Sequence, residues 1–110
     1  MRTRMYKLLI HFHHPPNVTA FETQWSEQFV PLVEKMPGIR RVAVSRVYGG
    51  PGEETDLHLV HEFFFSSKEA LRKAMISPEG QVAGEALMTF AAGYVSLNFA
   101  EHLEESRGEP

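Results

Sequence analysis

The order in which hydrophobic periodicity changes along this chain constrains its fold more than any single motif does. Met5-Tyr6-Lys7-Leu8-Leu9-Ile10-His11-Phe12-His13 is a run of strand-favouring residues, and His14-Pro15-Pro16-Asn17 ends it because proline cannot donate to a ladder. Phe21, Trp25, Phe29, Leu32 and Met36 then recur at helical spacing, and Thr19 with Glu22 three residues on reads as a capping box. A first helix is predicted from Ala20 to Met36. It should bend just before Pro31, whose ring removes a backbone donor at a cost of ~3 kcal/mol in a regular helix interior. Ile39 to Tyr48 and Leu57 to Phe65 return to strand character around the turn Gly49-Gly50-Pro51-Gly52-Glu53-Glu54, which predicts a long hairpin. Ser66 with Glu69 reads as a second capping box, and Ser77-Pro78 as an N-cap and first helical residue, so a split helix is predicted from Ser67 to Ala91. Gly93 closes it, Tyr94 to Ala100 alternates as a last strand, and the polar tail from Glu101 to Pro110 is expected to fray.

Strand, helix, strand, strand, helix, strand is the order of an α+β ferredoxin-like sandwich, a four-stranded antiparallel sheet with helices on one face. At 110 residues the chain is expected to form one domain over 1–110, with an ordered core over about 5–101. Strand one offers Leu8, Ile10 and Phe12 on one side but Leu9 and His11 on the other, while strand three sets Leu59, Phe63 and Phe65 against Val60 and Phe64. Helices cover only one of these faces. An apolar open face predicts a second copy upon it, a face-to-face homodimer.

Several function classes fall away on composition. A net charge of -3 with Lys and Arg dispersed gives no basic patch, so nucleic acid is not an expected partner. No apolar run reaches spanning length and Met1-Arg2-Thr3-Arg4 leads to no small-residue cleavage site, so no membrane partner and a cytoplasmic location are expected. The absence of cysteine excludes disulfides, thiolate nucleophiles and Cys-type zinc sites. Gly49-Gly50-Pro51-Gly52 joins two strands and precedes no helix, so it is no phosphate cradle and no cofactor is implied. The serines lack a nucleophile-elbow context.

Phe21, Trp25 and Phe29 share one helix stripe and, with Phe63, Phe90 and Phe99, are candidates to line an apolar pocket for a flat or aromatic ligand; an ordinary aromatic core is the alternative. Tyr6, His11, Tyr48, His61, Ser96 and Asn98 are the polar groups available to orient such a ligand. His11 and His13 share a strand face, and a His11, His13, His61 cluster is a conceivable metal site. Against it, His58 and His61 are three apart and should point to opposite faces, and no acidic ligand sits at a useful offset, so no metal is assigned. His58-x-x-His61-Glu62 imitates a zincin motif, which needs a helix where this segment reads as strand. His102 belongs to the polar tail and is read as solvated.

Lys7-Leu8-Leu9-Ile10, Val30-Pro31-Leu32, Met36-Pro37-Gly38-Ile39, Val44-Ser45-Arg46-Val47, Glu62-Phe63-Phe64-Phe65-Ser66-Ser67, Ser77-Pro78-Glu79-Gly80-Gln81 and the Gly93 to Glu101 strand follow one another in a distinctive order. Together they resemble the EthD family, of the ethyl tert-butyl ether degradation type, in the dimeric α/β-barrel superfamily. The resemblance implies a homodimer whose two sheets close into a barrel. Relatives in that superfamily include cofactor-free monooxygenases, lactone isomerases, polyketide cyclases and haem-handling proteins. The family commonly carries a histidine two residues before the helix proline; here that residue is Phe29, which cannot move protons. Glu62 matches an acidic residue common in the family's third strand, and reads either as a base or acceptor in the pocket or as a partner for Arg41, Arg46 or a capping amide. Two functions follow from the resemblance. One is a small enzyme acting on an apolar, carbonyl-bearing or aromatic metabolite, with His61 or His11 as proton shuttle and Glu62 or Tyr48 assisting. The other is a non-catalytic accessory protein that binds an apolar small molecule, which Phe29 favours.

Overall fold

The computed structural model describes residues 2–52 and 54–108. Glu53 of the expected Gly49 to Glu54 turn, and the last two residues of the tail, lie outside the described residues. The elements are β1 (Arg2–His13), α1 (Val18–Thr23), a π-helical segment (Gln24–Phe29), α2 (Val30–Val33), β2 (Arg41–Arg46), β3 (Leu57–Phe65), α3 (Lys68–Ile76), α4 (Pro78–Ala91) and β4 (Val95–Glu105). The sheet order is β2-β3-β1-β4, every pairing antiparallel. This is the ferredoxin-like sandwich that the element order predicts. Leu8, Ile10 and Phe12 of β1 and Leu59, Phe63 and Phe65 of β3 pack with Phe21, Trp25, Phe29, Val33, Leu71, Ala83 and Leu87 from the helical layer into one buried core.

Four local readings need correction. The first N-cap is Asn17, whose Oδ1 accepts from the Ala20 amide at 2.9 Å, so Thr19 falls inside the first turn. The second is Ser67 rather than Ser66, its Oγ accepting from the Ala70 amide at 3.0 Å. Both cap residues have extended backbone, which points their side chains at the orphan amides, and Asn and Ser serve equally well there. The tail does not fray at Glu101. β4 continues to Glu105 because β1 begins at Arg2 and supplies ladder partners to the end, Arg2 opposite Glu105 and Arg4 opposite Leu103. Finally, Phe12 faces Leu59 but His13 faces Leu57, so His58 is an extra residue in β3. Strict alternation fails across such a bulge. His58 lies on the helix side with its ring 5.3 Å from that of Phe21, not on the face opposite His61.

The bend expected before Pro31 takes a specific form. Without a proline N–H the ladder cannot close normally, and Gln24–Phe29 widens to π geometry, the Val30 amide donating to Trp25 O. The wider turn aims both Trp25 and Phe29 at the sheet, where they are 8% and 1% exposed.

Candidate site around His61

His61 sits in the middle of β3, opposite Ile10 of β1 and Val44 of β2. Position parity turns it to the helix side with Leu59 and Phe63, and the helical layer covers it. Among the described residues it is the one polar side chain that is fully buried, at 0% exposure. Trp25 Nε1–H donates to its Nδ1 at 3.2 Å, and Nε2 has no partner. A neutral imidazole carries one proton, so with Nδ1 accepting, Nε2 holds it. The rings of Phe63, Trp25 and Phe29 lie 4.3, 5.4 and 6.1 Å from the His61 ring. Burial among these rings lowers the imidazole pKa to about 4, because the charged form loses its hydration. Near neutral pH His61 is therefore an uncharged hydrogen-bond donor whose Nε2 has no partner among the described residues.

The aromatic residues picked out by spacing divide in two. Phe21, Trp25, Phe29, Phe63 and Phe90 meet between sheet and helices, with Phe12 at their centre: Phe12 is 5.1 Å from Phe21, 6.3 Å from Phe29 and 6.3 Å from Phe90. Phe99 stands apart. It is 65% exposed on edge strand β4 and lines a groove of about 770 Å³ with Tyr6, Leu71, Met75 and Ile76.

The four residues considered for acid–base work are not brought together. His11 pairs with Val60 and Ser96 in the sheet, and Glu62 with Leu9 and Ala43, so both stand on the face opposite His61. The sheet itself separates His61 from His11 and His13, and the conceivable metal cluster does not assemble. Glu62 pairs with Lys7, Nζ to Oε2 2.5 Å, rather than with Arg41 or Arg46. Tyr48 is fully exposed beyond the end of β2. Arg46 instead reaches the helix side, where it pairs with Glu22 and lies with its guanidinium carbon 5.5 Å from the Trp25 ring centre. Glu22 is held below the ordinary carboxylate range by its hydrogen bond from Arg46.

The open sheet face is less greasy than its sequence suggests. Phe64 belongs to it but is 1% exposed, roofed by the guanidinium of Arg41 at 4.1 Å and the ring of His102 at 4.8 Å. Glu104 ties this roof down, pairing with Arg41 (Nη1 to Oε1 3.0 Å) and lying 2.9 Å from His102 Nε2. His102 is thus part of the sheet, not a solvated tail residue. The Trp25–His61 bond had no signal in sequence, since the two residues are 36 positions apart and meet only through the π turn.

No family model matches the sequence. An ethyl tert-butyl ether degradation (EthD) family protein from Bacillus halodurans has the same fold at a TM-score of 0.84 and 31% identity, over 93% of this chain and 99% of that one. The chain belongs to the EthD family. An uncharacterized 11.0 kDa protein from the thcB-thcC intergenic region of Rhodococcus erythropolis is 32% identical over 97 residues, which is 88% of this chain and 94% of the relative. Two more distant structures share the EthD-type fold alone. One is a dimeric ferredoxin-like protein from Jannaschia, at 16% identity and a TM-score of 0.63 over 89% of this chain and 98% of that one. The other is SnoaB from Streptomyces nogalater, a cofactor-independent oxygenase, at 16% identity and 0.55 over 96% and 95%. Among the described residues, no helix is long and apolar enough to cross a membrane.

Proposed function

We propose that this EthD-family protein is a small enzyme that acts, without a nucleotide cofactor, on an apolar carbonyl-bearing or aromatic metabolite. Its chemistry would be of the monooxygenase, isomerase or cyclase type. The observation that carries this reading is the unpartnered Nε2–H of His61 in a buried aromatic cage. A buried donor left unpaired costs about 1–3 kcal/mol, and a carbonyl oxygen of a bound ligand recovers it. All three reaction types develop negative charge on such an oxygen, and a fixed neutral donor in a buried site stabilises that charge. Because Trp25 occupies Nδ1, His61 acts here as donor rather than as base. Trp25 and Phe29, two of the rings around His61, both stand on the π-helical segment, a geometry that recurs at functional sites.

The same reading takes the working unit to be a homodimer packed through the open sheet face. Leu9, Ala43 and Val60 are half-buried there, and the Lys7–Glu62 and Arg41–Glu104 pairs enter an interface already neutralised. His11 and Glu62 would face the partner and serve only a ligand that reaches that side.

One observation favours the accessory-protein reading: beside His61 stands the phenyl ring of Phe29, 6.1 Å away, and no second buried acid or base among the described residues. Native mass spectrometry of protein purified from its own host, with extraction of the retained small molecule, supplies the compound for the test. For the enzyme, His61→Leu lowers kcat on that compound by about 10²–10³, the cost of one oxyanion donor. Unchanged turnover in His61→Leu eliminates the enzyme reading as stated. Tight retention of the compound with no turnover by the wild type supports the accessory protein.

A further inference from the structure

We propose that Arg46 is a positioning residue that sets the tautomer of His61 through Trp25, an inference that rests on the reading of His61 as a donor. Three contacts form the line. Glu22, in α1, accepts from both terminal nitrogens of Arg46, with Nη2 to Oε2 at 3.1 Å. The guanidinium so held lies 5.5 Å from the Trp25 ring centre. Trp25 Nε1–H then donates to His61 Nδ1 at 3.2 Å. Four elements, α1, β2, the π-helical segment and β3, each contribute one residue to this line.

A cation over an indole draws on the electron density of the ring, which makes the ring N–H a stronger donor. A stronger donor at Nδ1 holds the imidazole proton on Nε2, on the side where the unpaired position lies. The ion pair at the surface thereby governs a proton in the core. The contacts of Arg46 are with Glu22 and the Trp25 ring, not with His61, so its influence passes through the indole. The structural alternative is a surface ion pair with Glu22 that packs on Trp25 and has no effect on the proton.

Imidazole ¹⁵N and indole proton NMR on the full chain at pH 7 separates the two. In the wild type, His61 should be in the Nε2–H form. Arg46→Met keeps a long apolar stem without the charge; it is expected to move the His61 tautomer ratio toward Nδ1–H by up to about fivefold, the ceiling set by an exposed cation–π contact. The Trp25 indole proton should move upfield with it. Arg46→Lys should restore part of both shifts. Trp25→Phe is the reference, because it removes the donor outright. If Trp25→Phe moves the tautomer and Arg46→Met moves neither resonance, the inference is overturned while the donor reading of His61 survives. A His61 found in the Nδ1–H form in the wild type removes both.

Discussion

His61 shows how a single residue's meaning depends on what surrounds it. A histidine in a strand reads from sequence as a proton shuttle; enclosed by Trp25, Phe29 and Phe63 it becomes a neutral donor. The folded protein keeps the ring uncharged down to about pH 4, while the unfolded chain takes up the proton near the ordinary 6.5. Between those values the unfolded state binds more protons, so the His61 contribution is complete above about pH 6.5, declines as the pH falls and levels off below 4. The whole effect is about 3 kcal/mol. Urea titrations of wild type and His61→Phe at pH 7 and pH 4.5 should show a smaller loss in the variant; equal losses would place the ring's folded-state pKa elsewhere. Trp25→Phe strips His61 of its donor and should cost about 1–3 kcal/mol. A cycle through His61→Leu should give a double variant less destabilised than the sum of the two singles, because the orphaned polar group is then gone.

At the scale of elements, the split of the second helical region was legible in Ser77-Pro78, and the structure adds why it is sharp. Ser77 Oγ accepts from the Gly80 amide at 3.0 Å and donates to Ala74 O at 2.6 Å, so one hydroxyl ends α3 and starts α4. Ser77→Ala should lower stability by about 1–2 kcal/mol in a chemical melt. Gly80 has a separate reason to be glycine: a Cβ there would lie 2.2 Å from Ala74 O and 2.8 Å from Met75 O. Since both neighbours are backbone, Gly80→Ala must push α3 and α4 apart, at about 3 kcal/mol or more. A melt of Gly80→Ala within error of the wild type would contradict this packing. Pro31 announced a distortion in the first helix but not its kind, because a kink and a π turn cost the same missing N–H. The His58 bulge was not legible either, since alternation carries no mark of where a strand gains a residue.

For the whole molecule, the ferredoxin-like order was written in the alternation of periods and in the Pro and Gly stops, local features that every unfolded copy of the chain also carries. The proposed dimer belongs to this scale. Leu9→Arg, at the centre of the open face between Glu62 and Asn98, should weaken association at least about tenfold; a wild type that sediments as a single folded subunit at low micromolar concentration would refute the face-to-face assembly. Sequence by itself determined the sheet, the helical layer, the aromatic stripe of Phe21, Trp25 and Phe29, and the two-sided apolar character of β1 and β3, because burial follows periodicity. Only the tertiary structure decided that His61 and His11 lie on opposite faces, that Lys7 rather than an arginine holds Glu62, and that Arg41 and His102 roof Phe64. Those outcomes depend on register and on side chains brought together from distant strands, and pairings of that kind acquire an energy only once the strands have met.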